Sequence, residues 1–385
     1  MDDGLHGRDG WVVERHSSFD FLSRDYRDLF ARAGATAFQT PLWLDRLHAR
    51  LAPARGAEPA VMTVRARADG RLAAVLPLLV RRHFGLRVAE FADLGVCDYC
   101  APVAEPAVVA DAEALAGRIV ALLGDCDLLL ARKIPDGARA GFAPFGRLQW
   151  SRMAIHGHRA VLSAPYAAWR EATLSGSRTR FLDIKRRKLN RQGRIELHCP
   201  DDAAGIAQAL EAIRCFRAYR FNETGLNDLL ADDAYALFYR EAGAEAPPAR
   251  AYVVTADGRP VSAAFGLVHD GAFHLLLSGF DFARLRNFSL GLLMIEDIAA
   301  DLIARGEPVL DLTIGDQPYK QEFGTRPTAM WMAMRGISAR GRLAAGLLAR
   351  LPWLRAWVWA WARAWARALA RRRRRRQGTI AAPPS

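Results

Sequence analysis

The order of elements between residues 251 and 314 constrains the fold most. Short apolar runs at Ala251–Thr255, Val261–His269 and Phe273–Gly279 are separated by the turn pairs Asp257-Gly258 and Asp270-Gly271. Such pairs favour tight hairpins, so these runs predict a three-stranded antiparallel meander. The pattern then changes to a loop over 280–289, an apolar helix over Leu290–Arg305, a turn at Gly306 and a strand at Val309–Ile314. A strand that returns through a helix lies parallel to the strand it left. The chain is therefore expected to be mixed α/β (α+β), with mostly antiparallel sheets flanked by helices.

Signals elsewhere extend this to two units, which a length of 385 residues accommodates. The first, 11–160, has a helical pattern at Phe38–Leu51 and strands at Ala60–Arg67 and Leu72–Val80 around the turn Ala68-Asp69-Gly70-Arg71. Further strands are expected at Arg87–Leu94 and Asp127–Ala131, with a helix at Ala110–Leu123. The second, 166–336, opens with a strongly basic helix over Ser175–Gly193 and a second helix over Asp202–Phe221.

The remaining segment, 337–385, carries 12 of the 13 net positive charges, because its 12 arginines are accompanied by no acidic residue. The folded units are thus nearly neutral, which argues against a broad nucleic-acid surface. After Pro352, a helix would gather Arg363, Arg367 and Arg371 on one side and Leu354, Val358, Trp361, Trp365 and Leu369 mostly on the other. Six consecutive arginines, Arg371 to Arg376, follow. An amphipathic, Trp-rich helix beside a polybasic run fits an anionic membrane surface, whereas a spanning helix would be interrupted by Arg355, Arg363 and Arg367. A solvated tail or a partner-binding helix is the alternative; DNA is not an expected partner.

Five cysteines, Cys97, Cys100, Cys126, Cys199 and Cys215, form an odd, scattered set suited to reduced thiols. Cys97 and Cys100 have zinc-like spacing but no second pair, so no metal is expected. The first residues lack a basic start and an apolar stretch, so a cytoplasmic protein is expected, peripheral on the inner membrane through its 337–385 segment.

Two stretches carry chemistry. In the loop before the 290–305 helix, Arg284, Arg286, Asn287, Ser289 and Gly291 lie where free backbone N–H groups favour a phosphate. Ser289 is placed to cap the helix and Gly291 to permit close approach. The plainer reading makes Ser289 a simple cap and the arginines solvated. After the Val309–Ile314 strand, Asp316, Tyr319 and Lys320 follow Gly315. Asp316 could orient or deprotonate an incoming hydroxyl or amine, Tyr319 protonate a thiolate leaving group and Lys320 neutralise phosphate or oxyanion charge. Alternatively, Asp316 and Pro318 form a turn, Tyr319 edges the core and Lys320 is a surface charge. His156, His158, His269 and His274 read as loop or partly exposed strand residues.

Several motifs occur in an order that resembles the CelD-type, or BioF-associated, acetyltransferases of the GNAT superfamily, a group linked to cellulose or exopolysaccharide biosynthesis. They are Phe38-Gln39-Thr40-Pro41-Leu42-Trp43-Leu44, Leu76-Pro77-Leu78, Leu94-Gly95 with Asp98-Tyr99, the basic helix at Lys185–Gly193, Ser289-x-Gly291, and Asp311 followed by Gly315-Asp316 and Tyr319-Lys320. The resemblance implies two tandem GNAT-like domains. The second would hold acetyl-CoA or another acyl-CoA without metal; the first would shape a cleft for a saccharide or envelope precursor through Gln39, Trp43, Asp98 and Tyr99. Gln317 stands where an acidic residue is common in the group. Fem-type peptidyltransferases share the doubled architecture but use aminoacyl-tRNA, for which Arg178, Arg180, Lys185, Arg186, Arg187 and Lys188 offer a local basic face. A doubled domain that has lost catalysis and serves as a scaffold is the third reading.

Overall fold

A computed structural model describes residues 10–350 apart from 225–227 and 246. Along the first half run β1 (Trp11–His16), α1 (Arg24–Ala33), α2 (Pro41–Arg46), α3 (Ala52–Ala54), β2 (Glu58–Pro59), β3 (Val61–Ala66), β4 (Leu72–Leu76), β5 (Leu78–His83), β6 (Leu86–Phe91), β7 (Val103–Ala104), α4 (Pro106–Ala110), α5 (Ala112–Leu122), β8 (Leu128–Pro135) and β9 (Gln149–Val161). The Leu72–Val80 run, expected as one strand, is two. Pro77 has no N–H to offer a ladder, and the chain changes sheet there: β4 pairs with β3 and β7, whereas β5 pairs with β6 and β2.

The second half comprises α6 (Tyr166–Thr173), α7 (Gly176–Asn190), β10 (Ile195–His198), α8 (Ala203–Thr224), α9 (Asp233–Ala242), β11 (Ala249–Ala256), β12 (Arg259–His269), β13 (Ala272–Phe280), α10 (Phe282–Leu285), α11 (Leu290–Ala304), β14 (Val309–Ile314), α12 (Pro318–Glu322), β15 (Arg326–Gly336) and α13 (Ala339–Arg350). The meander is present as β11–β12–β13. Its turns have both central residues at positive φ, 48° and 76° at Asp257-Gly258 and 49° and 67° at Asp270-Gly271, the geometry that matches strand twist. The helical return is present too: β14 lies parallel to β13.

Four strands form a small sheet, β1-β3-β4-β7, and eleven form a large one, β10-β11-β12-β13-β14-β9-β15-β8-β6-β5-β2. The two halves therefore share a sheet. β9 lies between β14 and β15, while β15, from the end of the second half, lies between β9 and β8. The result is a mixed α/β architecture with helices against its sheets, consistent with two GNAT-like domains in tandem.

One buried cluster runs across the halves, joining Phe38, Trp43 and Tyr99 to Ile213, Phe238 and Phe265. A second joins Leu182 and Leu189 of α7 and Leu293 and Ile298 of α11 to Phe273 and Leu310. Helix α11 is apolar on most sides because it sits between the sheet and α6 and α7. Its single fully buried carboxylate, Glu296, is matched by Arg170 (2.8 Å) and Arg186 (2.8 Å), and Arg186 also meets Asp297 (2.6 Å). Helix α13 is fastened by Asp127, whose carboxylate accepts from the Ser338 hydroxyl at 2.6 Å. Leu343 and Leu347 of α13 are exposed. The predicted amphipathic helix beyond Pro352 and the arginine run lie outside the described residues. Among those described, no helix is long and apolar enough to cross a membrane.

Candidate functional site

The large sheet has two parallel pairs of only three rungs each, β6 with β8 and β13 with β14, and the second lies in the half with the helix crossover. β13 is irregular where Phe265/Gly266 of β12 change register against it. Its parallel pairing with β14 covers three rungs, Ala272↔Val309, Phe273↔Leu310 and His274↔Asp311, and stops. Beyond Asp311 the two strands leave one another, and the edge of β13 past His274 goes unpaired by β14, a wedge between the strands.

At one end of this wedge is the start of α11. Ser289 does not cap it as expected: the residue adopts a left-handed conformation (φ 56°, ψ 40°) and its hydroxyl makes no capping bond. The N–H groups of Leu290 and Gly291, in the first turn, have no intrahelical acceptor. A Cβ placed on Gly291 would meet only the Phe280 ring, at 3.8 Å, so the protein leaves that approach open. Arg284, Arg286 and Asn287 are exposed beside it. The basic helix adds cations that the loop sequence does not reveal: Lys185 Nζ donates to the Asn287 carbonyl (2.6 Å), and Lys188 lies over Phe288 (4.4 Å). From α8, Arg220 covers the Phe280 ring at 5.4 Å. Not all of the predicted basic face is available, since Arg186 is held by Glu296 and Asp297 and Arg178 by Glu322.

At the other end is the terminus of β14. Lys320 is not a surface charge: it is 3% exposed, and its ammonium donates to the carbonyls of Leu312 (2.7 Å), Thr313 (3.3 Å) and Ile314 (2.9 Å). Burial pushes its pKa down to about 8, with Asp98, Asp311 and Asp316 pulling the other way. Thr313, β-branched yet at φ 56°, is held in this costly conformation by its N–H bond to Asp311 Oδ1 (2.7 Å) and by Lys320. Asp311 is fully buried and also accepts from the Tyr99 hydroxyl (2.8 Å). Tyr99 can reach it because Gly157 of β9 has no side chain; a Cβ there would stand 2.9 Å from the phenol oxygen. Burial and the adjacent Asp311 push the Tyr99 phenol well above its ordinary range.

The predicted residues Asp98 and Tyr99 thus do come to the end of β14. Burial raises the pKa of Asp98, against the pull of Lys133 and a bond to Thr313. Lys133 Nζ lies 3.8 Å from Asp98 and donates to Asp93 (2.8 Å) and to the Cys97 carbonyl (2.7 Å), fixing the loop. Gln39 and Trp43, expected to meet an acceptor, are 0% and 1% exposed. Gln39 Nε2 donates to the Tyr99 carbonyl (3.2 Å) and Trp43 Nε1 to Cys97 Sγ (3.4 Å), so both shape the 97–100 loop from beneath and cannot touch a solute.

Asp316 stands where expected but differs in character. Its Oδ1 accepts from His158 Nε2 (3.0 Å) and His156 Nδ1 (3.0 Å), and these bonds, that from His158 foremost, hold its carboxyl below the usual range. Such a carboxylate is a weak base and a good anchor. Tyr319 is half-buried against the α11 cluster. Burial raises its pKa against the pull of Arg220, so the phenol stays protonated at neutral pH and able to give a proton. Among the described residues no group of three or more His, Cys, Asp or Glu could hold a metal ion.

The meander, its parallel neighbour and the helix between them fall within one stretch of sequence that matches a known domain. Residues 176–321 match the acetyltransferase (GNAT) domain. No curated protein matches the chain. Solved structures with the same fold include FemX (10% identity, TM-score 0.57, 83% of this chain and 96% of that one). Another is the C-terminal domain of a putative lysylphosphatidylglycerol synthetase from Agrobacterium fabrum (13% identity, TM-score 0.51, 84% and 94%). A conserved protein of unknown function from Bacteroides thetaiotaomicron VPI-5482 is similar to the same degree (13% identity, TM-score 0.53, 84% and 99%). At such identities the likeness is one of fold. The GNAT domain itself supports an acyltransferase, and it covers the wedge, Arg284 to Gly291, Asp316, Tyr319 and Lys320.

Proposed function

We propose that the protein transfers an acetyl group, or another short acyl group, from acyl-CoA to an amine or hydroxyl of a saccharide or cell-envelope precursor. The carrying observation is the wedge between β13 and β14 leading to the open N-terminus of α11, beside Arg284, Arg286, Lys185 and Lys188. CoA phosphates suit the helix start and these cations, and its pantetheine arm suits the unpaired edge of β13. Backbone N–H groups near the end of β13 are placed to hold the thioester oxygen as charge develops, and Tyr319 to protonate the departing thiolate. The first half closes the acceptor side through Asp98 and Tyr99. The saccharide class rests on the CelD-type resemblance, and action at the cytoplasmic face of the inner membrane rests on the arginine-rich 337–385 segment.

Calorimetric titration of the full chain with acetyl-CoA tests this, with Gly291→Glu as the control. Wild type should bind and the variant should not, since a Cβ at 291 is accommodated and the carboxylate beyond it would repel a phosphate at the helix start. A wild type that does not bind acetyl-CoA sinks the proposal.

A second reading takes an aminoacyl-tRNA donor. It is favoured by the fold shared with FemX and by Arg180, Arg187 and Lys188, which are exposed along α7. Protection from thermal unfolding by charged tRNA and not by acetyl-CoA would select it.

A further inference from the structure

We propose that His156 is the group that takes the acceptor's proton, with Asp316 and His158 positioning its ring. This rests on the acyltransferase reading and names the base at the same site.

The tautomer follows from the partners. His156 Nε2 lies 3.3 Å from Arg152 Nη2, and a guanidinium offers only donors, so Nε2 presents a lone pair. The ring proton is then on Nδ1, which donates to Asp316 Oδ1 at 3.0 Å. An imidazole with a carboxylate behind it and an unprotonated Nε2 in front is arranged to accept a proton once the exposed Arg152 gives way to an acceptor, and the carboxylate stabilises the cation that results. Asp316 is fixed in turn by His158, which is 1% exposed and whose Nδ1 meets Thr325 Oγ1 at 3.1 Å. Two imidazoles on one carboxylate oxygen have different roles here: His158 is buried and holds, whereas His156 is 29% exposed and can meet a solute.

The backbone sets the position of this unit relative to the wedge. Gly315 N–H donates to the His156 carbonyl (2.9 Å), and Ile314 pairs with Gly157, so β9 is clipped to the end of β14. Tyr319 begins only three residues beyond Asp316. The charged and titratable groups that meet His156 or its carboxylate are Arg152 and His158 on its own strand and Asp316 after β14, which in turn acts on the Lys320 ammonium of α12. Its partner across β15 is Ala329, which carries no charge. Arg152 is exposed and occupies the place at Nε2 that an acceptor N–H or O–H would take.

The step balances without further reactants. The acceptor's N–H or O–H proton passes to His156 Nε2 as its nitrogen or oxygen bonds to the thioester carbonyl carbon. The C–S bond breaks and the thiolate takes the Tyr319 proton. Products are the acylated acceptor and free CoA, and solvent returns each side chain to its starting state.

Two measurements on the full chain test it. Nitrogen-15 NMR of the labelled imidazoles, assigned with His156→Gln, should show the His156 proton on Nδ1 and a bare Nε2; a proton on Nε2 overturns the proposal whatever the donor. Thiol release from acetyl-CoA, with water or glucosamine as nucleophile, should fall about a hundredfold in His156→Gln while calorimetric acetyl-CoA binding stays within twofold. A variant rate within threefold of wild type overturns the proposal as well. Failure of wild type to bind acetyl-CoA is a different result: it removes the acyl-CoA reading, and the NMR result then decides the fate of the His156–Asp316 pair.

Discussion

The buried Lys320 ammonium makes stability depend on pH with a sign that can be worked out. Lowering its pKa from an ordinary 10.5 to about 8, mainly by burial, costs the charged form about 3 kcal/mol in the folded state. In the unfolded chain the amine stays protonated up to about pH 10.5, whereas in the folded chain it loses its proton above about pH 8. Between those values the unfolded state binds the extra proton, so stability rises with pH. From pH 7 to pH 9.5 the gain is about 2 kcal/mol, and the penalty is fully present below pH 8. Urea denaturation of wild type and Lys320→Met at both pH values isolates this group. The carbonyls of Leu312, Thr313 and Ile314 left without the ammonium weaken the variant equally at each pH and cancel. The wild-type unfolding free energy, relative to the variant, should rise by about 2 kcal/mol at the higher pH. A relative change under about 0.5 kcal/mol, roughly a twofold shift in equilibrium, would refute the argument.

Other expectations are simpler. Tyr319→Phe should leave acetyl-CoA binding within twofold by calorimetry while thiol release drops about a hundredfold, because only the proton donor is lost. Glu296→Ala removes one of the two carboxylates held by each of Arg170 and Arg186, which keep Asp183 and Asp297, and should lower unfolding free energy by roughly 1–3 kcal/mol in urea melts. Gly341→Ala would put a Cβ onto the Asp127 carbonyl, loosening α13; a cost of about 1–3 kcal/mol and faster amide exchange in α13 are expected.

What the sequence shows of this molecule is what local chemistry decides. The Asp257-Gly258 and Asp270-Gly271 turns and the crossover through α11 are legible because each is specified within a few residues of itself. β9 and β15 are not: Gln149–Val161 mixes polar, charged and apolar residues with no sustained period, and it is a strand because residues 309–314 and 326–336 lie on either side of it. Residue type misleads at Ser289, where a good capping side chain occupies a left-handed position from which it cannot cap. The Tyr319-Lys320 pair is visible as a motif, yet nothing nearby in sequence tells that Lys320 turns inward to close three carbonyls. His156 and His158 pass for ordinary strand residues until the fold brings Asp316 to them. Gln39 and Trp43 stand out for the opposite reason: they are distinctive because they support a loop from below.

The position of β15 dictates an order of events. Residues 128–135 and 149–161 are made early, but the strand that joins them, 326–336, is among the last parts of the folded region to leave the ribosome. Until then the early half carries an open seam along two strands, with ladder groups that other chains can pair with. A message cut short anywhere between 162 and 325 would therefore yield a sticky fragment, not a smaller working protein. The second half, for its part, cannot be expressed from residue 166 without leaving its own closing strand with no neighbours on either side. Only the finished chain zips shut.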